Sequence, residues 1–124
     1  MDSNWETSYT DLNNVITISR GDSTRMLKYL IQFKELISER LIEVRHALDL
    51  HDRVLIRQLL HKMSPQLQFF GIKDVTIPIQ RLEFEYESMP FIELEILVHD
   101  IIVKLEEALE EISKLIDSNF EKPS

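Results

Sequence analysis

The chain has 124 residues, with 14 basic and 22 acidic side chains for a net charge of −8, no cysteine, two glycines and four prolines. The absence of cysteine excludes disulfides, zinc–thiolate centres, iron–sulfur clusters and a thiol nucleophile, and two glycines cannot build a Gly-rich phosphate loop. The acidic balance argues against general nucleic-acid binding, whose affinity comes from neutralising phosphates. A content of 44% hydrophobic and 29% charged residues describes one globular domain, able to bury roughly two-thirds of its unfolded surface.

Residues 1–8 are polar and read as a flexible N-terminus, without the basic start and apolar run of a signal peptide. A short amphipathic segment from Tyr9 to Ser19 follows, with Leu12, Val15, Ile16 and Ile18 as its apolar side. Gly21 suits a helix C′ position and Asp22 or Ser23 an N-cap. From Ser23 to Leu48 the apolar residues Met26, Leu30, Phe33, Ile37, Leu41, Val44 and Leu48 recur at helical spacing. Asp52 can cap the next helix, Arg53 to Phe70, which ends at Gly71. A fourth helix from Asp74 to Tyr86 carries Val75, Ile79 and Leu82, with Pro78 early, where a missing N–H costs least. Pro90 opens the last helix, whose stripe Leu94, Val98, Ile101, Leu105, Ala108, Ile112 and Leu115 alternates steps of four and three. These elements predict an all-α fold: an antiparallel four-helix bundle over residues 9–118 with a short extra N-terminal helix, and a tail at 119–124. The longest apolar runs, such as Ile101-Ile102-Val103, fall far below the roughly 20 residues needed to span a bilayer. The expected protein is cytoplasmic, with no membrane contact.

The third helix divides into two faces at about 100° per residue. Ile56, Leu59, Met63, Leu67 and Phe70 form its core side, and His61 points the opposite way, among Val54, Arg57, Gln58, Pro65 and Gln68. His61 is therefore a surface histidine rather than a core residue with a buried partner. Neutral imidazole, with an ordinary pKa of about 6.5, is nucleophilic near neutral pH. Held mid-helix, it is placed to dock against another protein's reactive group.

The segment Leu60 to Glu83, LHKMSPQLQFFGIKDVTIPIQRLE, resembles the phosphoacceptor stretch of histidine-containing phosphotransfer (HPt) domains. His61, Phe70-Gly71, Val75, Ile79 and Leu82-Glu83 fall on the family's spacing without a gap, and Gly21-Asp22 resembles the opening of its second helix. The resemblance covers roughly Tyr9 to Leu115. It implies a phosphorelay role in two-component signal transduction: His61 takes a phosphoryl group from a receiver-domain aspartate and passes it to another receiver. The implied partners are response-regulator receiver domains and a histidine kinase. The chain would be a monomeric phosphoprotein, not an enzyme with its own nucleotide site. It would hold no cofactor or metal, and magnesium would belong to the receiver.

Where the family has Lys and Gly, three and four residues after the histidine, this chain has Ser64 and Pro65. The His-Lys-Met-x-Pro variant is similar to HPt modules of hybrid two-component sensor kinases in Bacteroides-type bacteria, so the chain can be a domain of such a kinase. Pro65 deprives the His61 carbonyl of its usual donor, so a kink is expected beside His61, or else Ser64 caps a new segment with Pro65 at its first position. Substitute donors near the phosphate are Lys62, Ser64, Arg57 and Gln68, with Gln58 and Gln68 as receiver contacts. Glu83 lies where relatives offer a side chain to orient the imidazole, although as an ordinary surface glutamate it needs no such role, and that plainer reading is preferred from the sequence. If Ser64-Pro65 spoils the site, the alternative is a non-catalytic HPt-shaped adaptor that binds receivers without carrying phosphate.

Other constellations are weaker. Glu43-Val-Arg-His46 matches the Glu-x-x-His of di-iron bundles but occurs once, where two copies are needed. His51 is expected in a turn, helping to cap, and His99 at a surface or boundary position. The pairs Glu106-Glu107 and Glu110-Glu111 read as a solvated face. Phe33, Phe69, Phe70 and Phe84 read as core, Phe69 alternatively at the rim of the docking face. With Arg57 and Lys62 beside His61 and much of the acidity on the last helix, the site is expected to be locally basic.

Overall fold

A computed structural model describes residues 7–120; residues 1–6 of the expected flexible N-terminus and 121–124 of the expected tail lie outside the described residues. Five helices account for the fold: α1 (Asn13–Ser19), α2 (Ser23–Asp49), α3 (Arg53–Phe69), α4 (Thr76–Glu85) and α5 (Phe91–Phe120). The described residues contain no strand. α2 packs against α1, α3 and α5, and α4 packs against both α3 and α5.

The apolar stripes meet in one buried cluster. It takes Met26, Leu30, Phe33, Ile37, Leu41 and Val44 from α2 and Ile56, Leu59, Leu60, Met63 and Leu67 from α3. Ile79 and Leu82 of α4 and Leu94, Val98, Ile101, Leu105 and Ile112 of α5 complete it. Burying each such side chain is worth about 1.5–3 kcal/mol, so packing rather than helix propensity holds these segments in place.

Two apolar expectations fail for the same geometric reason. Ile18 is exposed and Ser19 is buried instead, because α1 presents Leu12, Val15 and Ser19 inward, and Ile18 falls off that line. Phe84 is 88% exposed; it lies two residues beyond Leu82, which is about 200° around the helix from the buried side.

Helix ends follow a shared pattern. Asp22 and Asp52 cap α2 and α3, accepting from the backbone N–H groups of Thr24 and Leu55. The residues closing α1, α2 and α3 in left-handed conformation are Arg20 (φ 53°), His51 (φ 54°) and Gly71 (φ 58°). After each, the next N–H reaches back to the carbonyl of Ile16, Ala47 or Leu67, as in a Schellman motif. Only Gly71 must be glycine for reasons of space, since a Cβ there would lie 2.5 Å from the Asp11 Cβ. That close approach lets residues 9–11 cross the α3–α4 connection, with Asp11 N–H on the Phe70 carbonyl (3.0 Å) and Lys73 N–H on the Tyr9 carbonyl (3.2 Å). Glu111 of α5 holds the same strap through the N–H groups of Ser8 (2.7 Å) and Tyr9 (2.8 Å), so its carboxylate is not simply solvated. Asp74 neither opens nor caps α4: it takes φ 66° in the connection, and the helix begins at Thr76 behind Val75, without a side-chain cap. No helix among the described residues is long and apolar enough to cross a membrane.

Candidate functional site

α3 runs unbroken from Arg53 to Phe69 with Pro65 inside it. Ser64 therefore does not cap a new segment. Its hydroxyl donates back to the Leu60 carbonyl at 3.3 Å, the usual resource of a mid-helix serine. Pro65 has no N–H, so the ordinary backbone donor to the His61 carbonyl is missing while flanking packing by Leu60, Met63 and Leu67 keeps the helix in place.

His61 stands on the outer side of α3 with its side chain 61% exposed, and its Nδ1 lies 2.7 Å from Oε1 of Glu83, itself 27% exposed. A carboxylate only accepts, so Nδ1 donates, and in the neutral ring the lone pair is then on Nε2. The pair bridges α3 to α4, and between these helices lies a cleft of about 190 Å³. Leu67, Val75 and Ile79 supply its apolar lining, and Ser64, Gln68, Thr76 and Gln80 add neutral polar groups beside His61 and Glu83. The cleft thus combines one held imidazole, one carboxylate and several uncharged hydrogen-bonding side chains.

The other residues singled out by sequence are distributed around this cleft. Ser64 and Gln68 line it with His61; Arg57, Gln58, Lys62 and Pro65 do not. Lys62, Gln58 and Pro65 are exposed. Arg57 is half-buried, with its guanidinium carbon 5.6 Å from the ring centroid of Tyr86. No Lys or Arg lines the cleft, so its lining carries a carboxylate rather than the expected basic character. The residue undervalued in the sequence is Glu83, whose place in the Leu82-Glu83 pair of the HPt-like spacing was the available signal. Thr76 and Gln80 had none, because an exposed polar residue on a helix carries no mark of what it faces.

Around the site, the α4–α5 connection is held by Arg53, which donates to the carbonyls of Tyr86 (2.9 Å) and Met89 and lies 5.6 Å over the Phe91 ring. His51 does sit in a turn, where its ring packs on Phe91 at 4.2 Å. Phe69 is half-buried, edge-on to Phe70, and lines a separate groove with Tyr29 and Phe33 between α2 and α3. Glu43 engages Arg40 at 2.9 Å, and no group of three potential metal-ligating side chains occurs among the described residues. On the far side of α4, Arg81 meets Glu93 of α5 at 2.5 Å and Glu85 at 3.4 Å. The hydrogen bond to Glu93, with the neighbouring Glu85 charge, raises the Arg81 pKa above its ordinary value. The chain matches no protein-family model, no curated protein and no solved structure.

Proposed function

We propose that the chain is a phosphocarrier of the HPt type, folded as an antiparallel four-helix bundle of α2 to α5 and acting as a monomer in the cytoplasm. The observation that carries this reading is the exposed His61 ring held at Nδ1 by Glu83, which leaves Nε2 as a fixed nucleophile. In the proposed step, the Nε2 lone pair attacks the phosphorus of a receiver's aspartyl phosphate. The N–P bond forms as the acyl P–O bond breaks, and the electron pair leaves with the receiver carboxylate. The Nδ1 proton stays between the ring and Glu83, whose charge compensates the positive charge developing on the imidazole. Reversal onto a second receiver aspartate completes the relay. The chain contributes no nucleotide chemistry. Receiver domains are the partners, and magnesium enters with them.

A second reading, an adaptor that binds receivers without carrying phosphate, is favoured by one observation: the cleft lining has no cation to balance a phosphoryl group. Incubation with a phosphorylated receiver and magnesium separates the two. The carrier acquires an acid-labile, base-stable label that His61→Gln abolishes. Label persisting in His61→Gln, or no label across a panel of cognate receivers, overturns the carrier reading.

A further inference from the structure

A phosphoryl group on His61 would bring about two negative charges at neutral pH next to the Glu83 carboxylate. The cleft lining itself holds no cation to meet them. Among the described residues Arg25, Arg40, Arg45, Arg81, Lys104 and Lys114 each pair with a carboxylate. Of the cations without such a pair, Arg57 and the exposed Lys62 lie nearest His61 along α3, and Arg57 alone of the two is held by a residue of α4. It enters no ion pair among the described residues, and its guanidinium lies instead over the Tyr86 ring at 5.6 Å. Its Nε is buried without a hydrogen-bond partner, whereas its terminal nitrogens are not among the buried, unpartnered atoms.

The placement of this cation follows from helix geometry. Arg57 precedes His61 by one turn, and residues so spaced are neighbours on a helix surface. A helical side chain leans toward the N-terminus, so the patch His61 covers lies toward the turn that carries Arg57. Across the groove the same step recurs on α4, where Tyr86, the C-cap residue, follows Glu83 by three residues. Glu83 thus meets His61, and Tyr86 meets Arg57, as successive contacts between the two helices. An aromatic face holds a guanidinium in place while leaving its charge uncompensated by any anion. A carboxylate in the same position would hold it equally well and cancel it.

We infer that Arg57 is the cation that meets the phosphoryl group presented to His61, and that Tyr86 is the residue that positions it. The inference rests on the phosphotransfer reading and assigns the charge balance that reading leaves open. Arg57 would attract the dianionic phosphoryl group of the receiver's aspartyl phosphate and hold its oxygens as the N–P bond forms.

The test measures label transfer from a phosphorylated receiver with magnesium, and separately from phosphoramidate as a small donor, across a range of salt concentrations. Arg57→Gln is expected to slow transfer about tenfold or more and to flatten its salt dependence. Arg57→Lys recovers most of the rate and the salt slope. Tyr86→Leu lowers the rate several-fold, and Tyr86→Phe, which keeps the aromatic face, leaves it unchanged. Helix content by circular dichroism is compared for each variant; should Arg57→Gln fail to fold, the contrast between Tyr86→Leu and Tyr86→Phe decides. Failure of the wild-type chain to accept label from either donor removes the phosphotransfer reading, and this inference with it. Label on the wild type, with Arg57→Gln or Tyr86→Leu matching it in rate and salt slope, overturns the inference alone.

Discussion

α4 borders two grooves of opposite character. Toward α5 its charges are closed off: Arg81 is shared between Glu93 and Glu85, and Lys104 reaches Asp100 at 2.9 Å and the Asp74 carbonyl at 3.2 Å. Toward α3, among the described residues, the one contact of this kind is His61 with Glu83, and the other residues lining the cleft are uncharged. Both grooves are bridged by carboxylates, but the α4–α5 bridge occupies a guanidinium, whereas the α3–α4 bridge holds an imidazole through Nδ1 and leaves its second nitrogen outside the contact. The difference teaches where chemistry is available. A guanidinium held by two carboxylates has nothing left to offer, and an imidazole held through one nitrogen has the other to use.

If this contrast is sound, the largest effect comes from His61→Gln, which should abolish phosphoryl acceptance while leaving the urea midpoint close to wild type, as expected for an exposed side chain. Next is Gly71→Ala, which puts a Cβ against Asp11 in a left-handed position and separates the strap from the α3–α4 connection. A loss of about 2–4 kcal/mol is expected from urea denaturation; an unchanged midpoint would show that the strap does not hold α4 in place. Arg53→Ala strips two backbone carbonyls of a charged donor and should cost about 2 kcal/mol by the same measurement. Glu83→Ala is expected to reduce the transfer rate by about 10–100-fold, with Glu83→Gln less severe because its amide oxygen can still accept from Nδ1. Equal rates for all three would mean that the contact orients nothing. The smallest effect belongs to Arg81→Ala, an exposed pair whose loss should shift the midpoint little, and less still in high salt. A large shift there would erase the distinction between the grooves.

The helices themselves were legible because each carries its signal locally. The stripe on α5, the Asp22 and Asp52 caps and the apolar line from Ile56 to Leu67 depend only on spacing along one segment. Residue type misleads where it disagrees with the helical line: Phe84 is apolar yet faces outward, about 200° around α4 from Leu82. Other outcomes depended on a partner. Lys62 adjoins His61 in sequence but does not line the cleft, whose charged residue beside His61, Glu83, is supplied by another helix.

The sequence by itself determined five helical segments, the Asp22 and Asp52 caps, the main apolar line of the four longer helices and the outward direction of His61, because helical periodicity and capping chemistry are properties of consecutive residues. Tertiary structure alone decided that Glu83 closes on the imidazole at 2.7 Å, that Tyr86 takes the Arg57 guanidinium, and that Gly71 must yield space to Asp11. Each of these joins residues on different elements, and such distances are set by how packed helices come to rest against one another, which no local pattern encodes.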